Sequence, residues 1–298
     1  MPFKINPISE AQADNKVKVI YEDIKSLLEF HSIPYFFQII ANSELFLDLL
    51  WKRLKPVLDT QEFEQLVADI TNYSLERLRK VRPTEPTLSI LVSKIDDNKK
   101  GEYTNEFFEM VRINCLMVAI SIMVRESIKG LAIISEVREH FKIISGSEKK
   151  SLEERFAEVE KESEEKALAT MSNQVGFAKS TDPYFLTYIK LVSELMETFF
   201  KSNEYLEVRL LTENKVQELI KALPNKLDLP YGQILEILYH HSWSNELIFL
   251  LHDLLPGYYP KQFISSLLLV VSLEVNKGLK SDIQDEIALP LNDTKLLN

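Results

Sequence analysis

Seven glycines in 298 residues leave this chain few places for tight backbone turns. Soluble proteins carry about 7% glycine, roughly three times as much. Neither GxGxxG nor GxxxxGK[ST] occurs, so the glycine loops that cradle nucleotide phosphates are excluded. Sheets of many short strands joined at glycine turns are equally disfavoured. With 45% hydrophobic and 27% charged residues, the chain can bury a sizeable core. An all-α fold is what this composition permits.

The remaining composition narrows the class further. One cysteine, Cys115, excludes an intrachain disulfide, a CxxC redox pair and a cysteine-based zinc site. The opening MPFKINPISE has no apolar signal core. The longest apolar runs, 113–124 and 263–273, fall short of the roughly 18 residues of a membrane span. We expect a cytoplasmic protein with no membrane association. A net charge of −10 and a pI near 5.2, without a basic stripe, argue against nucleic-acid binding.

The chain also repeats itself. Ser32-Ile33-Pro34-Tyr35-Phe36-Phe37 recurs 149 residues later as Thr181-Asp182-Pro183-Tyr184-Phe185-Leu186, and Leu50-Trp51-Lys52 recurs as Phe199-Phe200-Lys201. Near the end of each half, Glu126-Ser127-Ile128-Lys129-Gly130-Leu131 matches Glu274-Val275-Asn276-Lys277-Gly278-Leu279 at an offset of 148. Matches in register across a unit are the signature of duplication. We expect two tandem helical repeats, residues 1–147 and 148–298, packed as one body.

Within each repeat the punctuation is helical. Ser9 with Gln12, and Ser151 with Glu154, fit capping boxes, the first opening a helix with Val17, Ile20, Tyr21, Ile24 and Leu28 on one face. Pro34 and Pro183 suit helix starts. Helices over 44–58 and 63–78 follow, then a loop over 82–86. A long apolar helix closes each unit, over 103–129 and 260–278, with Gly130 and Gly278 placed to end it. The charged run 148–166 reads as a solvated helix face. Apolar segments 247–255 and 263–271 suit a core, and leave a homodimer open.

Few residues present chemistry. Glu236 and His240 stand one turn apart near His241, His252 and Asp253, but one such pair does not close a coordination shell, so no metal is expected. His31 and His140 are isolated. Cys115 lies within an apolar run and reads as a small buried hydrophobe. Two polar residues stand out. Asn114 shares a core-facing stripe with Phe107, Val111, Cys115, Val118 and Ile122. A buried carboxamide is costly unless bonded, so a neighbouring carbonyl or a ligand must face it. Asp182 replaces the other repeat's Ile33 just before a helix-starting proline, where it reads either as an ordinary N-cap or as a general base acquired in one repeat only.

The stretch 11–56, with Tyr21-Glu22-Asp23-Ile24, Ile33-Pro34-Tyr35-Phe36 and Leu50-Trp51-Lys52-Arg53, resembles the group I 2-haloacid dehalogenases, the halocarboxylic acid dehalogenase family. The resemblance implies an all-helical fold of two alkylhydroperoxidase D-like repeats. It also implies cofactor-free hydrolysis of 2-haloalkanoic acids, in which an aspartate-activated water attacks C2 and expels halide. Carried over by position, Asp182 after Thr181 is the base and Asn114 holds the water. Tyr35 (where tryptophan is familiar in the family), Phe36, Tyr184 and either Tyr258 or Tyr259 line a pocket for a small carboxylate, whose charge would be met by helix N-termini. The other reading is a non-catalytic or differently specific small-acid-binding protein of the alkylhydroperoxidase D/carboxymuconolactone decarboxylase-like class. The peroxidases of that class use CxxC, which a lone cysteine cannot supply.

Overall fold

A computed structural model of the protein describes residues 7–81, 86–129, 183–230, 232–234, 236–237 and 255–274. Thr181 and Asp182, both repeat-closing glycines, the Ser151 capping pair, the run 148–166, His140, and His240, His241, His252 and Asp253 lie outside the described residues. Among the described residues every regular element is a helix, as the glycine content requires.

The first helices follow their apolar spacing. Helix α1 (Asn15–Leu28) buries Val17, Tyr21, Ile24 and Leu28. Its cap departs from expectation: Asp14, not Ser9, accepts the first amides, from Lys16 and Val17. Ser9 and Gln12 do bond each other, the Ser9 N–H and hydroxyl both reaching Gln12 Oε1, but they close a turn that precedes the helix. Carboxylate Asp14 is the stronger match for a helix N-terminus, where amides and dipole both favour negative charge. Helix α2 (Tyr35–Ile40) follows Pro34. Helices α3 (Glu44–Leu58) and α4 (Gln61–Lys80) are capped by Ser43 and Thr60. The Trp51 indole and Lys55 ammonium of α3 both donate to Asp23 of α1. Lys55 first, then Trp51, hold that carboxyl below its usual range.

Helix α5 (Pro86–Lys94) leads into α6 (Asp97–Lys129), 33 residues and so about 50 Å long. Every residue from 115 to 125 is buried; a helix apolar on all sides has to lie inside the protein. By length and composition α6 would also span a membrane, but 72% of its most apolar stretch is buried within the protein. Helices α7 (Pro183–Phe199) and α8 (Asn203–Ala222) precede α9 (Leu255–Leu273). From 259 to 273 every α9 residue except Lys261 is buried.

The two all-buried helices pack on each other and form the centre. Tyr188 of α7 fixes their direction. Its ring stacks on Phe107 of α6 at 5.7 Å and its hydroxyl donates to the Leu269 carbonyl of α9. Asn114, seven residues after Phe107, meets Gln262, seven residues before Leu269. Hence α6 and α9 run antiparallel. Helices α4 and α8 pair beside them, Ser74 and Thr212 sharing a buried hydroxyl contact at 3.2 Å. Arg79 of α4 makes a two-pronged bond to Glu274 just past α9.

The start of α7 is held by rings. Phe185 lies 4.8 Å from Tyr103 and 6.1 Å from Phe107. Phe107 is fully buried, so Phe107→Ala is expected to cost about 3–5 kcal/mol. Urea denaturation should show this as a lowered midpoint at unchanged slope. A double-mutant cycle with Phe185→Ala should return a coupling of about 0.5–1.5 kcal/mol; a coupling of zero would contradict the packing of α7 on α6.

Candidate active site

Sequence reasoning singled out Asn114, Tyr35, Phe36 and a tyrosine at 258 or 259; the fold sets Tyr35 and Phe36 against Tyr258 and Tyr259, and Asn114 against Gln262, one turn further along α9. Asn114 is half-buried on α6, and its Nδ2 donates to the Gln262 carbonyl at 3.5 Å. That bond is long for N–H···O and correspondingly weak. A carboxamide offers two donors and two acceptor lone pairs; Oδ1 of Asn114 meets no donor among the described residues. The neighbouring carbonyl expected of a core asparagine is present, and it leaves most of the amide's capacity unspent.

Gln262 lies one turn after Tyr258 on α9, so the two share a helix face. The adjacent tyrosines have separate tasks. Tyr259 is buried, and its hydroxyl accepts the Phe36 N–H at 2.9 Å. Burial first pushes its pKa well above the tyrosine value. Tyr258 is partly exposed, its ring 6.3 Å from Tyr35 and 5.0 Å from Tyr259. Burial, and then the neighbouring Tyr35, push its hydroxyl up to about 12, and that hydroxyl has no hydrogen-bond partner among the described residues. Tyr258 is thus the tyrosine with a free polar end, and Tyr259 the one that fastens α2 to α9.

Other expectations fare differently. The Phe36 amide at the start of α2 is committed to Tyr259, so it is not open to an anion. Tyr184 opens α7 but is 46% exposed, while its neighbour Phe185 carries the packing. Cys115 is buried, its thiol pushed up to about 12 by desolvation, and is chemically quiet. His31 is exposed. No cluster of three metal-ligating side chains occurs among the described residues.

One polar residue escaped sequence reasoning. Gln262 is 7% exposed, and its side chain has no hydrogen-bond partner among the described residues. The signal was present: 114 + 148 = 262, so under the offset of the closing helices Gln262 is the counterpart of Asn114. The Asn114 carboxamide meets the backbone carbonyl of that counterpart across the seam.

Comparison with known proteins bears on this site. Residues 31–176 match a family described as "Halocarboxylic acid dehydrogenase DehI". The fold is similar to that of solved D-2-haloacid dehalogenases. One is a mutant in complex with D-2-CPA, at 17% identity and a TM-score of 0.61, covering 93% of this chain and 96% of that one. Another is a D-2-halacid dehalogenase mutant, at 16% identity, a TM-score of 0.61 and the same coverage. A third is in complex with L-LA, at 15% identity and a TM-score of 0.61, covering 92% and 96%. No protein of curated function matches it by sequence. At these identities the structural likeness is one of fold.

Two measurements test the division between the tyrosines. Tyr259→Phe strands the buried Phe36 amide and should cost about 1–3 kcal/mol in urea denaturation. Tyr258→Phe should instead remove a tyrosinate absorbance step near pH 12. The sign follows from the raised pKa. Below pH 10 both folded and unfolded states keep the proton, so stability is unaffected. Above pH 10 the unfolded state ionises first, and stability falls as pH rises toward 12. Tyr258→Phe should soften that alkaline loss; an unchanged alkaline titration would show Tyr258 to be an ordinary exposed phenol.

Proposed function

We propose that this chain is a cofactor-independent hydrolase of short 2-haloalkanoic acids. Water held by Asn114 loses a proton to Asp182 while its oxygen bonds to C2 of the substrate. The carbon–halogen bond breaks with its electron pair leaving as halide, and a 2-hydroxy acid of inverted configuration remains. The observation that carries this reading is the half-satisfied Asn114 amide on the Gln262 carbonyl, one turn along α9 from the unpartnered Tyr258 hydroxyl, in a fold similar to that of D-2-haloacid dehalogenases.

The duplication supports a place for Asp182 at the same seam. We read residues 1–147 and 148–298 as two repeats related by an approximate twofold axis near the Asn114–Gln262 contact. Under the repeat offsets, α2 docking on α9 through Tyr35–Tyr258 and Phe36–Tyr259 has its counterpart in α7 docking on α6 near Met110 and Val111. Phe185 against Phe107 is consistent with that counterpart, and Val111 is one turn before Asn114. Ile33, the counterpart of Asp182, is fully buried. A carboxylate in such a setting gains basicity by desolvation, which proton abstraction from water near neutral pH requires.

The family description speaks of a dehydrogenase, whereas the solved neighbours are dehalogenases. Absence of a glycine phosphate loop from the sequence favours hydrolysis over nicotinamide-dependent hydride transfer. The substrate is a small carboxylate; Tyr35, Phe36, Tyr258, Thr181 and Tyr184 are the residues proposed to border it. A cytoplasmic location, independence of nucleic acid and membrane, and a homodimer belong to the same reading.

Halide release from both enantiomers of 2-chloropropionate tests the reaction. Asp182→Asn should lower kcat by about 10²–10⁴-fold, and Asn114→Ala should lower it severalfold or more. Equal release from wild type and Asp182→Asn would remove Asp182 from the mechanism and favour a binding role.

A further inference from the structure

Gln262 has a burial and bonding state that core packing does not account for. It is 7% exposed, on a helix whose described neighbours are almost all apolar. Its side chain has no hydrogen-bond partner among the described residues, whereas buried Ser265 and Ser266 of the same helix bond the carbonyls of Lys261 and Phe263. Among the described residues the unpaired side-chain atom sealed from water is Ser121 Oγ, so the Gln262 amide, at the end of an otherwise buried side chain, reaches accessible space where a ligand could meet it. Its surroundings are those of the site already described. The Gln262 carbonyl receives Asn114. Helical side chains lean toward the preceding turn, which here carries Tyr258.

Charge narrows what this amide can bind. The substrate class proposed above has a carboxylate, which accepts hydrogen bonds and cannot donate them. Cations described near the seam are engaged. Lys261 sits over the Phe200 ring at 4.8 Å. Arg112 donates to Glu109 and to the carbonyls of Leu28 and Glu29. At α2 the Phe36 amide is taken by Tyr259. Neutral donors remain: the second Asn114 hydrogen, the Tyr258 hydroxyl and the two Nε2 hydrogens of Gln262.

We propose that Gln262 is a carboxylate-binding residue of this site, donating from Nε2 to the substrate's carboxylate, while its counterpart Asn114 holds the water. The duplicated position thereby serves two purposes, one in each repeat. This inference rests on the dehalogenase reading for its substrate, but it makes a claim about carboxylate binding that is measured separately.

The test uses the full chain and its Gln262→Leu variant, with Gln262→Met as a second apolar replacement should leucine impair folding. Propionate, which has no halogen to lose, reports binding by calorimetry; 2-chloropropionate reports turnover by halide release. Losing one hydrogen bond to a charged group should weaken propionate binding and raise KM about tenfold or more, with kcat changed little. The melting temperature should hold, because the amide makes no hydrogen bond within the protein that the apolar side chain would lose. Gln262→Glu, which sets like charges together, should abolish propionate binding. If the apolar variants bind propionate as wild type does, or if wild type does not bind it, the inference is overturned. Propionate binding that depends on Gln262, without halide release from any 2-halo acid, would overturn the dehalogenase reading and leave Gln262 in place.

Discussion

Antiparallel packing of α6 on α9 is the constraint from which the rest of the architecture follows. The 115–125 stretch of α6 and α9 from 259 to 273, Lys261 apart, are buried on every side, so these stretches must be surrounded by protein. α4 and α8 cover the pair on one flank, and Arg79 fastens α4 to the residue that follows α9. α7 is pinned to both members at once by Tyr188, and α2 is tied to α9 by Tyr259. Elements that supply the candidate site are thus positioned by one seam, and the polar groups of the site lie within it.

Polar groups in such a seam have a cost, and how it is met separates structure from function. Tyr259 meets it by accepting an amide that would otherwise be stranded. The serines of α9 meet it by bonding carbonyls of their own helix. Asn114, Tyr258 and Gln262 do not meet it with the partners described. Retaining underbonded amides in a hydrophobic interface is the kind of local conflict found where a protein binds something. The proposed hydrolysis of a 2-halo acid would give that conflict a purpose, since a carboxylate and a water together would satisfy these groups.

Much of this was legible beforehand. Scarce glycine and a 3.6-residue apolar period gave the all-helical fold, and 44–58 and 63–78 fell within helices. Helix starts were less legible, because Ser9 and Asp14 both carry capping side chains and the choice depends on where the chain enters the core. Asn114 could be read from its polarity on an apolar stripe. The difference between Tyr258 and Tyr259 could not, since neighbouring residues of one type are separated only by which face meets α2. Gln262 lay in a segment dominated by leucine and valine and was passed over; aligning the two closing helices residue by residue would have placed it opposite Asn114.

The Tyr259 hydroxyl and the Phe36 amide are separated by 223 residues. During vectorial synthesis α2 can pack early on α3, where Phe37 meets Trp51 at 6.2 Å, but that amide stays open to water until α9 arrives. Loop closure over such a span carries a large entropic cost before any contact rewards it. A helical protein would ordinarily assemble quickly from local contacts; here the docking of α2 is completed only by a segment made 223 residues later.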